Sequence, residues 1–247
     1  MDTNTPAAAQ KPQFMGAFDL FKPSINIIKL NFLPFVLLGI IPFLVMVAGM
    51  IMLMAGSSSD ELTKEVNING AAGVTGVLIA IVGFIGSVLV GPGYLVIQLK
   101  GAHGEKAQAW PAFKEGLHYF WRYLGVSILQ TLIFFAALIA LVIPFFFAYR
   151  RYLLAPYYVV GRNMGVMEAL RQSAADSITY KSPMWGLVGV ESLLFVLSAI
   201  PGLNYVIWIP QVLYACAPAH RFKEIGDASA SAKAEDVSPA ESLKEVL

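Results

Sequence analysis

Long apolar runs broken by short polar stretches dominate the chain. The first, Asn31–Ala55, reads NFLPFVLLGIIPFLVMVAGMIMLMA and carries no charge. Gly73–Leu99, Arg122–Ile143, Pro144–Gly161, Met184–Ile200 and Leu203–Ala219 follow it. About 20 apolar residues cross a bilayer as a helix, so each run is a candidate span. Pro201-Gly202 is a turn signal between the last two. The fourth run, PFFFAYRRYLLAPYYVVG, is the hard one, because Arg150 and Arg151 stand side by side inside it.

Two layouts compete for that segment. A single helix from Arg122 to Ala148 gives five crossings, whereas a turn near Pro144 sends the chain back and gives six. Basic residues concentrate on the cytoplasmic side of a membrane. Lys11, Lys22 and Lys29 precede the first run, and Lys100, Lys106 and Lys114 follow the second. Arg162, Arg171 and Lys181 follow the fourth, and Arg221, Lys223, Lys233 and Lys244 follow the sixth. Six crossings put all of these on one side and leave Lys64, among Asp60, Glu61 and Glu65, on the other. The expectation is an all-α polytopic membrane helical bundle, with six transmembrane helices arranged as three hairpins and both termini cytoplasmic.

In that layout Arg150 lies about six residues past the turn, roughly 9 Å from the outer face at 1.5 Å per residue. An arginine can snorkel over such a distance. The alternative is an inward partner, and Glu191 is the one acid inside an expected span. Gln130 and Gln211 lie at comparable depth. Arg150, Arg151, Glu191, Gln130 and Gln211 therefore form a candidate intramembrane polar centre, either a clasp that locks the bundle or a polar pathway or headgroup site. Pairing of one arginine with Glu191 is expected, the other pointing outward, since neighbouring helical residues diverge by about 100°. Small residues at Gly76, Ala80, Gly83, Ser87 and Gly91 line the second run and mark a close helix contact.

A polar octapeptide precedes each expected hairpin: AFDLFKPS at 17–24, AWPAFKEG at 109–116 and VMEALRQS at 166–173. A bulky apolar residue is second (Phe18, Trp110, Met167) and another fifth (Phe21, Phe113, Leu170). A basic residue is sixth (Lys22, Lys114, Arg171) and a small one eighth (Ser24, Gly116, Ser173). Amphipathic segments of this kind lie in the membrane interface. Lys22, Lys114 and Arg171 are thus candidate lipid-headgroup contacts. The chain divides into three units, about 14–100, 106–162 and 163–221, within one membrane domain, 1–225, and a mobile cytoplasmic tail is expected over 226–247.

Composition agrees with residence in lipid. The chain is 57% hydrophobic and 13% charged, about half the charged share of a soluble domain. The net charge of +1 gives no reason to expect nucleic acid. Met1–Pro12 is polar, so no cleavable signal peptide is expected. The lone Cys216 forms no internal disulfide, and His103, His118 and His220 are scattered without metal-ligand spacing.

Tyr152, Ala155, Pro156 and Tyr157, followed by Glu168, Ala169 and Ser173, make a Tyr-x-x-Ala-Pro-Tyr element and a Glu-Ala-x-x-x-Ser helix after an apolar-Pro turn. This stretch of about 30 residues resembles an uncharacterised bacterial family of multi-pass membrane proteins, related to the membrane domains that accompany glycerophosphodiester phosphodiesterases. The resemblance implies the bacterial cytoplasmic (inner) membrane. It implies no activity. The chain departs from the pattern at the turn, where Phe145 follows Pro144, and in its paired arginines.

No metalloprotease, phosphate-loop or nucleophile-elbow motif occurs. The expected function is non-enzymatic: a lipid-contacting scaffold or accessory factor, with no cofactor or metal, with membrane lipids as partners and protein partners unassigned. The alternative is a small transporter or flippase working through the Arg/Glu centre.

Overall fold

A computed structural model describes residues 13–56, 58–59, 66–67, 71–140 and 142–242. Ten helices account for nearly all of the described residues. They are α1 (Phe21–Leu30), α2 (Phe32–Gly56), α3 (Ala71–Ala102), α4 (Ala109–Ala140), α5 (Val142–Tyr152), α6 (Ala155–Arg162), α7 (Val166–Thr179), α8 (Lys181–Ser198), α9 (Asn204–Tyr214) and α10 (Ala217–Ser242). Between α2 and α3, β1 (Ser58–Ser59) pairs antiparallel with β2 (Val66–Asn67), Ser58 opposite Asn67.

Among the described residues three helices, α2, α3 and α4, are long and apolar enough to cross a membrane. The expected six correct to three on this measure, and the reason is local. α5 and α6 split the fourth run at Leu153-Leu154, just ahead of Pro156. Proline has no N–H to continue the ladder and its ring crowds the preceding turn. α8 has 18 residues but opens on Lys181 and contains Glu191. α9 stops after 11 residues, short of Ala217-Pro218.

The helices nevertheless pair as antiparallel hairpins. α2 packs along α3 through glycines: a Cβ on Gly49 or Gly76 would overlap the backbone of Ala80 or Leu53, and one on Gly83 would lie 2.5 Å from the Met46 nitrogen. α5 and α6 together run back along α4. Phe134 meets Phe145 (5.8 Å between ring centres), Gln130 reaches Tyr152, and Arg122 donates to the Asn163 side chain at 2.6 Å. Asn163 closes that turn at φ 53°, a left-handed conformation that asparagine tolerates. In the third pair the Gln211 amide donates to the Leu194 carbonyl at 3.2 Å.

The buried core lies at one end of the bundle, here the proximal end. It is built from the last turns of α3, the first of α4, and α6, α7 and the start of α10. Tyr158, Val159, Ala169, Ala219 and Ile225 are fully enclosed there. Asn31, at the α1–α2 junction, ties down the α3–α4 loop by accepting from the Ala107 N–H at 2.7 Å.

The structure also bears on the interfacial segments and the tail. Of the three interfacial segments, two belong to short helices set ahead of their arms, α1 before α2 and α7 before α8, and the third is not a separate helix. Ala17–Leu20 is a turn leading into α1, 109–116 is the opening of α4, and 166–173 is the opening of α7. The segment 226–242, expected within the tail, is helical and continues α10. Alanine, lysine and glutamate favour helix, and Ala228 is still buried against the bundle. Residues 243–247 lie outside the described part, as do Asp60, Glu61, Lys64 and Glu65.

Candidate functional site

Arg150 is buried, only 4% exposed, whereas Arg151 next to it is exposed. The Arg150 guanidinium lies 4.9 Å from the centre of the Trp185 ring, a cation–π contact. The buried Arg150 Nε has no hydrogen-bond partner. Glu191 instead receives the Tyr149 hydroxyl at 2.7 Å. Among the described residues no ion pair joins Glu191 to either arginine. The expected Arg–Glu pair is therefore corrected. An aromatic ring beside each charged group takes the place the opposite charge was expected to hold.

The two glutamines serve the backbone. Because Pro156 lacks an N–H, the Tyr152 carbonyl four residues earlier loses its helical donor. Gln130 Nε2 supplies it at 2.9 Å. The next carbonyl back, Arg151 O, receives the Ser173 hydroxyl at 2.7 Å. A carbonyl buried without a donor costs about 1–3 kcal/mol. Gln130→Leu is accordingly expected to lower the thermal midpoint in detergent, while Gln130→Glu, which keeps length but removes the donor, lowers it as much. Equal midpoints for wild type and Gln130→Leu count against this role.

The residues of the Tyr-x-x-Ala-Pro-Tyr element thus have structural partners. Ala155, Ala169 and Ser173 are fully buried. Tyr157 donates to Gln98 Oε1 at 2.7 Å, and Glu168 accepts from the Gly165 N–H at the head of α7 at 3.3 Å. Tyr158 donates to Asp176, whose other oxygen accepts from Gln172 at 3.1 Å. Arg162 covers the Tyr158 and Phe222 rings at 5.1 and 5.4 Å.

The three octapeptides present one surface pattern. Phe18, Trp110 and Met167 are 66%, 63% and 55% exposed. Lys22, Lys114 and Arg171, each four residues later, are exposed as well; Trp110 with Lys114 and Met167 with Arg171 share a helical face, whereas Phe18 lies in the turn ahead of α1. Lys114 lies 5.3 Å from the Trp110 ring centre. The eighth residues are all buried, and each meets the second arm of a different hairpin. Ser24 accepts from the Cys216 N–H at 3.1 Å, just before Pro218. Ser173 donates to Arg151 O, before Pro156. A Cβ on Gly116 would lie 2.8 Å from the Pro92 carbonyl carbon.

Those three prolines expose a signal the octapeptides alone did not carry. Each follows a small residue in a second arm: Gly91-Pro92, Ala155-Pro156, Ala217-Pro218. Tyr152 and Tyr214 stand three residues before the last two pairs. The segments after the prolines converge, for a Cβ on Gly161 would touch Phe222 at 2.9 Å and Leu99 at 3.2 Å.

Sequence reasoning also missed a clamp on the N-terminal segment. Arg221 is fully buried, donates to Glu224 at 2.5 Å and to the Met15 carbonyl at 3.0 Å, and faces the Phe14 ring. Glu224 accepts in turn from the Met15 N–H at 3.2 Å. Burial holds the nearby His220 below its usual pKa, so near pH 7 it is neutral and its 3.8 Å approach to Glu224 is no ion pair.

No protein-family model, curated protein or solved structure matches the chain.

Proposed function

We propose that the chain is a non-enzymatic, lipid-contacting scaffold of the membrane, built from three hairpin units closed into a ring. The observation that carries the reading is the triple recurrence of an exposed bulky apolar residue and, four residues later, an exposed cation. At a membrane surface the apolar member enters the acyl boundary and the cation stays with the phosphates. The ring is supported by the order of contacts: Ser24 of the first unit meets the third, Gly116 of the second meets the first, and Ser173 of the third meets the second.

All six arms enter the apolar layer in this reading, with both termini on the proximal, cytoplasmic side. Support comes from the return of α5–α6 to the level of Arg122. It comes also from α8 and α9, where Phe195, Val196, Val206, Trp208 and Ile209 are exposed. The bacterial inner membrane follows from the resemblance above. The transporter alternative is disfavoured, because Gln130, Gln211 and Glu191 each already bond a protein group.

Two experiments test this. The first is topological. With Cys216→Ser as background, single cysteines at Ser58 and Ser231 are expected to react with an impermeant maleimide from opposite sides, and labelling of both from one side removes the six-arm layout. The second concerns lipid. Spin-labelled phosphatidylglycerol is expected to associate with the reconstituted chain more strongly than phosphatidylcholine. The preference falls to parity in Lys22→Ala/Lys114→Ala/Arg171→Ala and weakens with salt. Retention of the preference in that variant rejects the reading.

A further inference from the structure

We infer that the groove between α2 and α3 is a binding site for one acyl chain of an anionic phospholipid, whose phosphate sits at Lys114. This rests on the lipid-contacting reading above and deepens it. The groove encloses about 410 Å³. Leu38, Ile41 and Val45 of α2 form one wall, Gly83, Gly86 and Val90 of α3 the other, and Trp110 and Phe113 of α4 lie across one end. Every lining residue is apolar or glycine.

The groove follows from how the two helices cross. Toward the β1–β2 end they touch backbone to backbone at Gly49, Gly76 and Gly83, where a Cβ has no room. From Gly86 onward the obstacles are side chains instead of backbone: a Gly86 Cβ would lie 3.3 Å from the Pro42 Cβ, and a Gly93 Cβ 2.8 Å from the Leu38 Cδ2. The opening turns of α4 reach the gap without filling it. Eight residues separate Leu37 from Val45, so the groove runs about 12 Å along the helix axis.

Its chemistry selects the occupant. Water requires two or more polar partners, and the walls offer no polar side chain. A packed helix, about 10 Å across, is too wide for the space. At about 30 Å³ per methylene, close to the volume one water takes in the liquid, the groove holds on the order of a dozen methylenes. That is most of one acyl chain. Both walls are helices suited to cross the membrane, so hydrocarbon is what surrounds them. What marks the groove out from the rest of the lipid-facing surface is its mouth. Trp110 lines it, and Lys114 stands 5.3 Å from that ring. Lys100 nearby is already taken by Glu115 at 2.6 Å. Lys114 has no acidic partner among the described residues, and it is left to receive a phosphate.

The test uses the full chain in nanodiscs of phosphatidylcholine doped with phosphatidylglycerol that carries a diazirine in one acyl chain. After irradiation, crosslinks are expected to concentrate on 37–45 and 82–90, and Lys114→Ala is expected to cut that yield about tenfold, the scale of one charge-assisted bond. Val45→Phe and Leu89→Phe, which fill the groove, are expected to move the crosslinks elsewhere. If either fails to fold, Lys114→Ala, on the surface, still decides. Crosslinks spread evenly over the groove and the exposed Trp208 and Ile209 of α9, or a yield unchanged by Lys114→Ala, overturn the inference. Lys22→Ala/Arg171→Ala separates it from the broader reading. Loss of overall anionic preference in that pair with an unchanged, Lys114-insensitive crosslink map rejects the groove and keeps the lipid-contacting surface. A Lys114-dependent groove yield with no loss of overall preference in that pair keeps the groove and rejects the three-point surface.

Discussion

Gly76→Leu is expected to leave almost no folded protein after extraction in mild detergent. A Cβ at Gly76 would fall inside contact distance of the Leu53 nitrogen, and 2.8 Å from both the Leu53 Cα and the Gly49 carbonyl oxygen. All three obstacles are helical backbone, which cannot turn away as a side chain can. Overpacking a core typically costs about 1–3 kcal/mol even when rotamers relax, and here relief requires the two longest apolar helices of the first hairpin to separate. Lipid offers no hydrophobic drive to hold them together once close packing is lost. Gly189→Leu is the matched control. Nothing lies within 4 Å of a Cβ there, and leucine suits a helix better than glycine by roughly 0.5–1 kcal/mol. It is expected to melt at or slightly above the wild-type temperature. The comparison is read by size-exclusion profile and thermal midpoint. A Gly76→Leu protein that elutes and melts as wild type would show that the close crossing is absent from the folded state.

The small-residue face of the second run was legible before any coordinates, because spacings of four and three residues place Gly76, Ala80 and Gly83 on one side. So were the first three spans, whose boundaries shift by only a few residues except at the start of α4. There the octapeptide around Trp110 continues directly into the span, and its amphipathic pattern concealed the continuity. Beyond the first three spans the hydrophobic pattern read as three further spans, where the helices are too short or too polar to cross by length and composition, and it hid the breaks within them. The break at Pro156 depends on whether the freed carbonyls find donors, and those donors, Gln130 and Ser173, lie 22 residues away on either side. Gln130 consequently read as part of a polar centre when its work is to cap a broken helix. Arg150 was misassigned for a related reason. Depth along a helix predicted that one of the two arginines would meet Glu191, but Arg150, the one that turns inward, goes to Trp185, while Tyr149, one residue earlier, takes the carboxylate. Charge counting ranks possible partners by charge alone, and in this bundle aromatic rings compete with them.

The longest-range feature left no trace in the local pattern at all, and its loss is the other large effect expected. Arg221 sits in an ordinary basic cluster after the last apolar run, yet it is fully buried and holds a segment 206 residues away. Arg221→Met keeps much of the side-chain volume and removes the charge. Glu224, largely buried, then loses its one cation among the described residues, because the partly buried His220 stays neutral near pH 7. The Met15 carbonyl loses its donor at the same time. Breaking a buried ion pair from one side typically costs about 3–5 kcal/mol in soluble proteins, and the lost bond to Met15 acts in the same direction. The N-terminal segment, with Phe14 against Tyr180 at 5.2 Å and Ala17 bonded to the Tyr214 hydroxyl at 2.9 Å, is expected to detach first. Limited proteolysis should therefore cut ahead of α1 in Arg221→Met under conditions that leave wild type intact. Arg221→Met/Glu224→Met, which removes both charges, is expected to recover part of the thermal midpoint, since no charge is then stranded. His220 adds a pH signature to the same contact. Its folded pKa lies below the unfolded value, so the unfolded chain binds the extra proton first as pH falls, and stability drops through the window beneath about 6.5. His220→Gln should flatten that drop without changing stability at pH 8. A wild-type midpoint that does not change between pH 8 and pH 5.5 would remove the His220 signature, and a double variant no better than Arg221→Met alone would remove the buried clamp as the element that holds the N-terminal segment to α10.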